Sequence, residues 1–159
     1  MKSKFFLGAG LFALGVAAGG YLFAQTQPRS FLALSECAGA CYRSNELAGL
    51  LVSAGIHAGA IAPIAVMETG RCIAIEHPAA APGTHFVVFP KRDVKDIGDL
   101  TSEDAPYVLD CLALMGELVR TRHLRHYWVT MNGPALQDVR YLHFHLEAPR
   151  GGTAAAGAQ

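Results

Sequence analysis

The sequence predicts an α+β fold: a five-stranded antiparallel sheet with one long and one short helix, preceded by an N-terminal transmembrane helix. Three observations carry this expectation. A run of apolar residues follows two lysines at the start of the chain. Five short β-prone runs are separated by turn residues. One longer stretch repeats its apolar residues at helical spacing. Composition bounds the rest. AVILMFWYC residues make up 52% and charged residues 16%, which excludes a disordered chain and leaves apolar surface for lipid or a partner. Thirteen Lys and Arg balance 13 Asp and Glu, so no basic field exists to hold a nucleic-acid backbone.

The elements follow in order. Lys2 and Lys4 precede a charge-free stretch that lasts until Arg29. Within it, Phe5 to Ala24 is apolar. As a helix this segment reaches about 30 Å, the thickness of a bilayer core. Lysines stay on the cytoplasmic side, so the domain is expected outside, in the periplasm of a bacterium. Two readings compete: a retained anchor, with Tyr21 at the interface, or a signal peptide cut near Ala18 or Ala24. Gly15 and Gly19 form a small-xxx-small pair that permits close approach of another helix. Residues 1–29 thus read as anchor and polar linker, 30–150 as the domain, and 151–159 as a loose Gly/Ala tail.

Ser44 is placed to cap a short helix through Glu46, Leu47, Leu50 and Leu51. Leu47 to Met67 carries no formal charge, which raises a second membrane span as an alternative. Gly55, Gly59 and Pro63 argue instead for a break into helix and then strand. Ile64–Met67 and Cys72–Ile75 flank a turn at Glu68–Arg71 and predict a hairpin. Thr84–Phe89 is a third strand, stopped by Pro90. Thr101 or Ser102 is expected to cap a helix with an acidic first turn. Its buried stripe is Val108, Leu112, Met115, Leu118 and Val119. His126–Met131 reads as a fourth strand, Asn132–Pro134 as a turn, and Arg140–Glu147 as a fifth strand.

Chemistry concentrates on that last strand. Alternate side chains share a face, so Tyr141, His143 and His145 point one way and Leu142, Phe144 and Leu146 the other. The two imidazoles then stand about 6.5–7 Å apart along the strand. Histidine titrates near neutrality, so one ring can attack while the other is protonated.

The pair sits within a larger pattern. Pro82–Lys91 reads PGTHFVVFPK, Asp99–Asp104 reads DLTSED, and Asn132–Arg150 reads NGPALQDVRYLHFHLEAPR. In order and spacing, these motifs resemble the histidine triad (HIT) family over Ile64 to Arg150. The resemblance implies a HIT-like sheet and a nucleotide-binding site. It also implies cleavage or nucleotidyl transfer at an α-phosphate through a covalent nucleotidyl-histidine. His143 matches the nucleophile, His145 the donor to phosphate or leaving group, and His85 the histidine that orients the cluster. Asn132 and Gln137 match residues that contact phosphate and leaving group, and Glu76 lies near the ribose-binding acid. The sequence departs from the pattern twice. Tyr141 replaces the first triad histidine, and Asp138 stands where active hydrolases carry Ser or Thr. These departures open the alternative of an inactive HIT-fold accessory subunit in a membrane complex. The resemblance further implies a homodimer.

The remaining residues carry weaker signals. Cys37 and Cys41 are spaced C-x3-C, one residue longer than the C-x2-C zinc spacing the resemblance implies, and a disulfide competes with structural zinc there; no other cofactor is implied. Four cysteines allow three full pairings, and Cys111 falls on the helix stripe as a buried apolar residue. His57, His77, His123 and His126 match no motif and read as surface or structural. Arg120, Arg122 and Arg125 read as a solvated helix end.

Overall fold

A computed structural model describes residues 2–23, 26, 29, 30, 32 and 41–149. Cys37, the signal-cleavage position at Ala24 and the tail at 151–159 lie outside the described residues. Helix α1 spans Lys2–Phe23. Among the described residues it contains the one stretch, Phe6–Phe23, long and apolar enough to cross a membrane. Its length and composition suit an anchor and a signal sequence alike. Near its end, the Tyr21 ring meets His57 at 4.9 Å between centroids.

Helix α2 (Ser44–His57) is longer than expected, running past Gly55. It ends at Ala58, where Gly59 takes a positive φ of 72° and turns the chain into a 3-10 turn at Ala62–Ile64. The second-span alternative therefore falls on a 14-residue helix and its turn. Ser44 is not the cap. It is the first helical residue, after Arg43, which makes no side-chain cap bond.

The sheet comprises β1 (Ala65–Glu68), β2 (Cys72–Glu76), β3 (His85–Pro90), β4 (Trp128–Thr130) and β5 (Phe144–Glu147). Spatial order is β1-β2-β3-β5-β4, with every neighbouring pair antiparallel. Helix α3 (Ala105–Thr121) bridges β3 to the second half of the sheet. Its start corrects the expected cap. Asp104 is the flanking residue, and its carboxylate accepts bonds from the Thr101 amide and hydroxyl at 2.8 and 2.7 Å. The acidic residues thus precede the first turn rather than fill it.

Pleat alternation sorts the side chains into two layers. Cys72, Ala74, Phe86, Val88, Phe144 and Leu146 face α3 and pack on its Cys111, Leu114, Met115 and Leu118. Leu112, expected on that stripe, is 48% exposed; Leu114 takes the inward position. Cys111 is not a lone buried thiol but forms a disulfide with Cys72, joining α3 to β2. Ile73, Val87 and Phe89 face the other way. They pack with Tyr141 against Val52 and Ile56 of α2 and with Ile61 beyond it.

The fifth strand begins four residues later than expected, at Phe144. The reason lies in the backbone partners. The Arg140 amide donates to Asn45 O at 2.9 Å and the Leu142 amide to Val94 O at 2.7 Å, both outside the sheet. Arg29, assigned to the linker, is buried within the domain, with its side chain 1% exposed.

Candidate active site

Register brings the histidines together. His145 pairs with Val87 and Glu147 with His85 across β3 and β5, so His85, His145 and Glu147 share the face opposite α3. His85 Nε2 and His145 Nδ1 are 2.8 Å apart and share a hydrogen bond. The His143 ring stands 4.8 Å from the His145 ring, edge-on. It also rests 5.6 Å from the Phe89 ring.

His143 lies just before β5, and a local bond sets its state. Its Nδ1 is 2.6 Å from the Tyr141 carbonyl oxygen. A carbonyl can only accept, so Nδ1 carries the proton and, in the neutral ring, Nε2 carries the lone pair. Burial pushes the His143 pKa below its ordinary value, against the opposing pull of the Tyr141 carbonyl and the Asp138 charge. His145 is lowered to about 4, first by burial and then by repulsion from His143 and His85. Burial also lowers His85, against the attraction of Glu147. The lowered pKa values favour the neutral form of all three rings at pH 7, so the donor beside His143 is a neutral N–H rather than the protonated ring expected. His145 Nε2 is buried and has no hydrogen-bond partner among the described residues.

The other expected residues divide. Asp138 is exposed, and its charge acts on His143. Gln137 is buried; its amide nitrogen donates to Lys95 O at 3.2 Å, while its Oε1 has no partner among the described residues. Asn132 is half-buried, just beyond β4. Tyr141 is not at a surface where substrate contacts it. It is 1% exposed, and its hydroxyl reaches the carbonyls of Pro90 (2.6 Å) and Arg92 (3.1 Å). Burial raises its pKa far above the ordinary phenol value, so it remains a neutral strut. Glu76 also departs from expectation. Ile75 and His77 flank it on the histidine face, so pleat alternation sends Glu76 to the α3 side of the sheet.

Two residues were missed. His77 stacks on His85 with centroids 4.4 Å apart and 9° between planes. Its amide donates to His85 O at 2.9 Å, continuing the β2–β3 register by one step. Reading the hairpin register outward from Ile75 and Val87 would have placed it there. Glu147 continues the two-residue period of His143 and His145, and that periodicity was the signal for it.

Among the described residues, no group of three or more His, Cys, Asp or Glu is arranged to hold a metal ion. Cys41 is disulfide-bonded, which removes it as a thiolate ligand from the zinc alternative. His85 Nε2 and His145 Nδ1 are spent on one another and His143 Nδ1 on Tyr141 O, so Nε2 of His143 and Nε2 of His145 remain for a ligand. What remains is an imidazole nucleophile beside an unpartnered imidazole nitrogen. That pairing suits attack on an electrophile whose oxygens or leaving group accept a hydrogen bond.

Comparison with known proteins agrees with the geometry. A family model described as HIT domain matches residues 58–151. Among solved structures, the chain is similar to a HIT family hydrolase from Legionella pneumophila Philadelphia 1, with a TM-score of 0.51 and 23% identity over 59% of this chain and 88% of that one. It is similar to a hypothetical protein from Leishmania major, with a TM-score of 0.51 and 24% identity over 69% and 80% of the two chains. A Streptococcus mutans UA159 protein gives a TM-score of 0.53 and 22% identity over 69% and 72%. At these identities the likeness shows the fold. No curated protein gives a significant match to the chain.

Proposed function

The chain belongs to the HIT domain family, and from that premise we propose that it binds a nucleotide or nucleotide-linked small molecule and attacks its α-phosphate through His143. The observation that carries this reading is the bond from His143 Nδ1 to the Tyr141 carbonyl, which leaves Nε2 as the lone-pair nitrogen. Nε2 forms a bond to phosphorus, and the departing group leaves with its bonding pair, taking up a proton from solvent that the later water step returns. His145 Nε2–H donates a hydrogen bond to that group or to the phosphate. For Nε2 to hold a proton in a neutral ring, Nδ1 must accept, so His85 Nε2 is the donor of the 2.8 Å bond. Water then displaces Nε2 from phosphorus, passing one proton to solvent, and the products are a nucleoside monophosphate and the free leaving group. Gln137 Oε1 and Asn132 are the polar groups for substrate.

The alternative of an inactive accessory subunit is favoured by the surplus apolar surface, the glycine-rich anchor, Asp138 and Tyr141. The buried Tyr141 supplies its carbonyl to His143 as any residue there does, so its phenol removes no substrate contact. Incubation with a mass-tagged adenosine phosphoramidate tests the reading. An acid-labile adenylyl adduct on His143, lost in His143→Ala, is expected. No adduct in the unaltered chain, with turnover unchanged in the variant, sinks the enzymatic reading in favour of the accessory subunit.

The same proposal places α1 in the membrane and the domain on its extracytoplasmic side. Lys2 and Lys4 before the apolar run support this, as do the disulfides at Cys41 and Cys72–Cys111, which persist in oxidising compartments. A homodimer is the proposed assembly. Support comes from the sheet-edge strand β4, where Trp128 and Val129 are exposed, and from Leu109 and Leu112 on α3.

A further inference from the structure

The nucleophile stands on a segment that the sheet does not hold. Ladder pairing of β5 with β3 begins at Phe144 opposite Val88, one residue after His143. The chain from Arg140 to His143 is fastened by other means, and the centre of that fastening is Arg29. Its guanidinium forms a two-pronged ion pair with Asp93, one prong being Nε to Oδ2 at 3.1 Å. Its remaining nitrogen, Nη1, donates to the carbonyl oxygen of Arg140. Glu46 lies 3.6 Å from the same nitrogen and 3.7 Å from the Arg140 guanidinium. Arg140 in turn pairs with Asp96 at 3.0 Å. The Arg29 guanidinium also stands 5.8 Å from the centre of the Tyr141 ring. A methyl group at Gly49 would collide with both Arg29 and the Arg140 carbonyl, so α2 is shaped around this contact.

The side chains of Arg29 and Asp93 are 1% and 0% exposed. The fork points in three directions at once, two toward Asp93 and one toward Arg140 O, which a lysine ammonium cannot reproduce with the same rigidity. The next carbonyl along the chain, that of Tyr141, is the one that holds His143 Nδ1. We propose that Arg29 is a positioning residue for His143: by clamping the Arg140 carbonyl, the segment just after the apolar helix fixes the carbonyl of Tyr141 and thereby the tautomer and aim of the nucleophile. The membrane-proximal segment is then part of the machinery of the site. The catalytic consequence rests on the reading of His143 as nucleophile; the tautomer itself does not.

The test uses the full chain in lipid nanodiscs with ¹⁵N-labelled histidine, the His143 signals being identified by their disappearance in His143→Asn. The unaltered protein is expected to show a single neutral tautomer with the proton on Nδ1. Arg29→Gln is expected to give a mixture of tautomers at His143, and Arg29→Lys an intermediate mixture. If the adenylyl adduct forms, its rate should fall by up to about 10²-fold in Arg29→Gln, as for a misaligned reactant, with little change in half-saturating substrate. Should Arg29→Gln fail to fold, Arg29→Lys, which keeps the charge and loses the fork, carries the test. A folded variant that melts earlier while keeping the parental His143 spectrum makes Arg29 a structural tie only and overturns the proposal. Absence of any adduct in the unaltered chain defeats the functional reading instead, and the spectrum still decides on Arg29.

Discussion

A hydrogen bond from one ring nitrogen to one carbonyl sets what His143 can do, and this has a pH signature. Attack needs the neutral ring. Because burial holds the His143 pKa below 6.5, the rate of adduct formation should be level through neutrality and fall only as acidification passes below that value. Single-turnover rates from pH 5 to 8 measure this; a half-maximal point above 6.5 contradicts the burial argument. Tyr141 makes a second residue-level case. Replacing it with Phe removes the bonds to the Pro90 and Arg92 carbonyls but leaves the backbone carbonyl that His143 uses. Denaturant unfolding should show a loss of about 1–3 kcal/mol for the buried oxygens left unpaired. Adduct formation should stay within a few-fold of the parent. The clustering of His143, His145 and His85 was legible because a motif and a two-residue period coincide there. Glu76 and His77 exchanged places because a strand's face flips with every residue. A reading one position off therefore assigns the wrong side of the sheet.

Strands β1 to β3 were legible to within about a residue, since alternation and flanking turns agree. The start of β5 was not. Nothing near Arg140 in sequence announces that its amide bonds to Asn45 or that Leu142 bonds to Val94. Helix α2 overran Gly55 for a related reason: Val52 and Ile56 pack beneath the sheet, and that packing outweighs the helix cost of about 1 kcal/mol for one glycine. The Cys72–Cys111 bridge was likewise invisible, because four cysteines permit three pairings and only the stacking of α3 on β2 selects one. It closes a loop with a sequence separation of 39. In the chain-entropy account such a loop is worth about 4 kcal/mol. Replacing both Cys72 and Cys111 with Ala should lower the unfolding free energy by roughly that amount under oxidising conditions, and any reductant effect that persists in that variant belongs to the disulfide at Cys41.

At the scale of the molecule, the sheet separates two tasks. Its α3 side is a packed, disulfide-joined layer, and its other side carries the four neighbouring rings His77, His85, His145 and His143. The edge strand β4 leaves Trp128 exposed on this face and Val129 exposed on the α3 face. Pairing with a second copy along β4 should give a species of about twice the 16.9 kDa chain mass after detergent correction. Val129→Asp should shift it to the monomer, as light scattering coupled to size exclusion can report. The disulfide layer has one more consequence. Two sulfur atoms at 0% exposure are beyond the reach of ordinary oxidants once the layer has closed. The bridge must therefore be made while the chain is still opening and closing, in the surroundings where it first folds. A copy that matured among abundant free thiols would lack this rivet, so the oxidation state of this one pair is a lasting record of where each molecule was made.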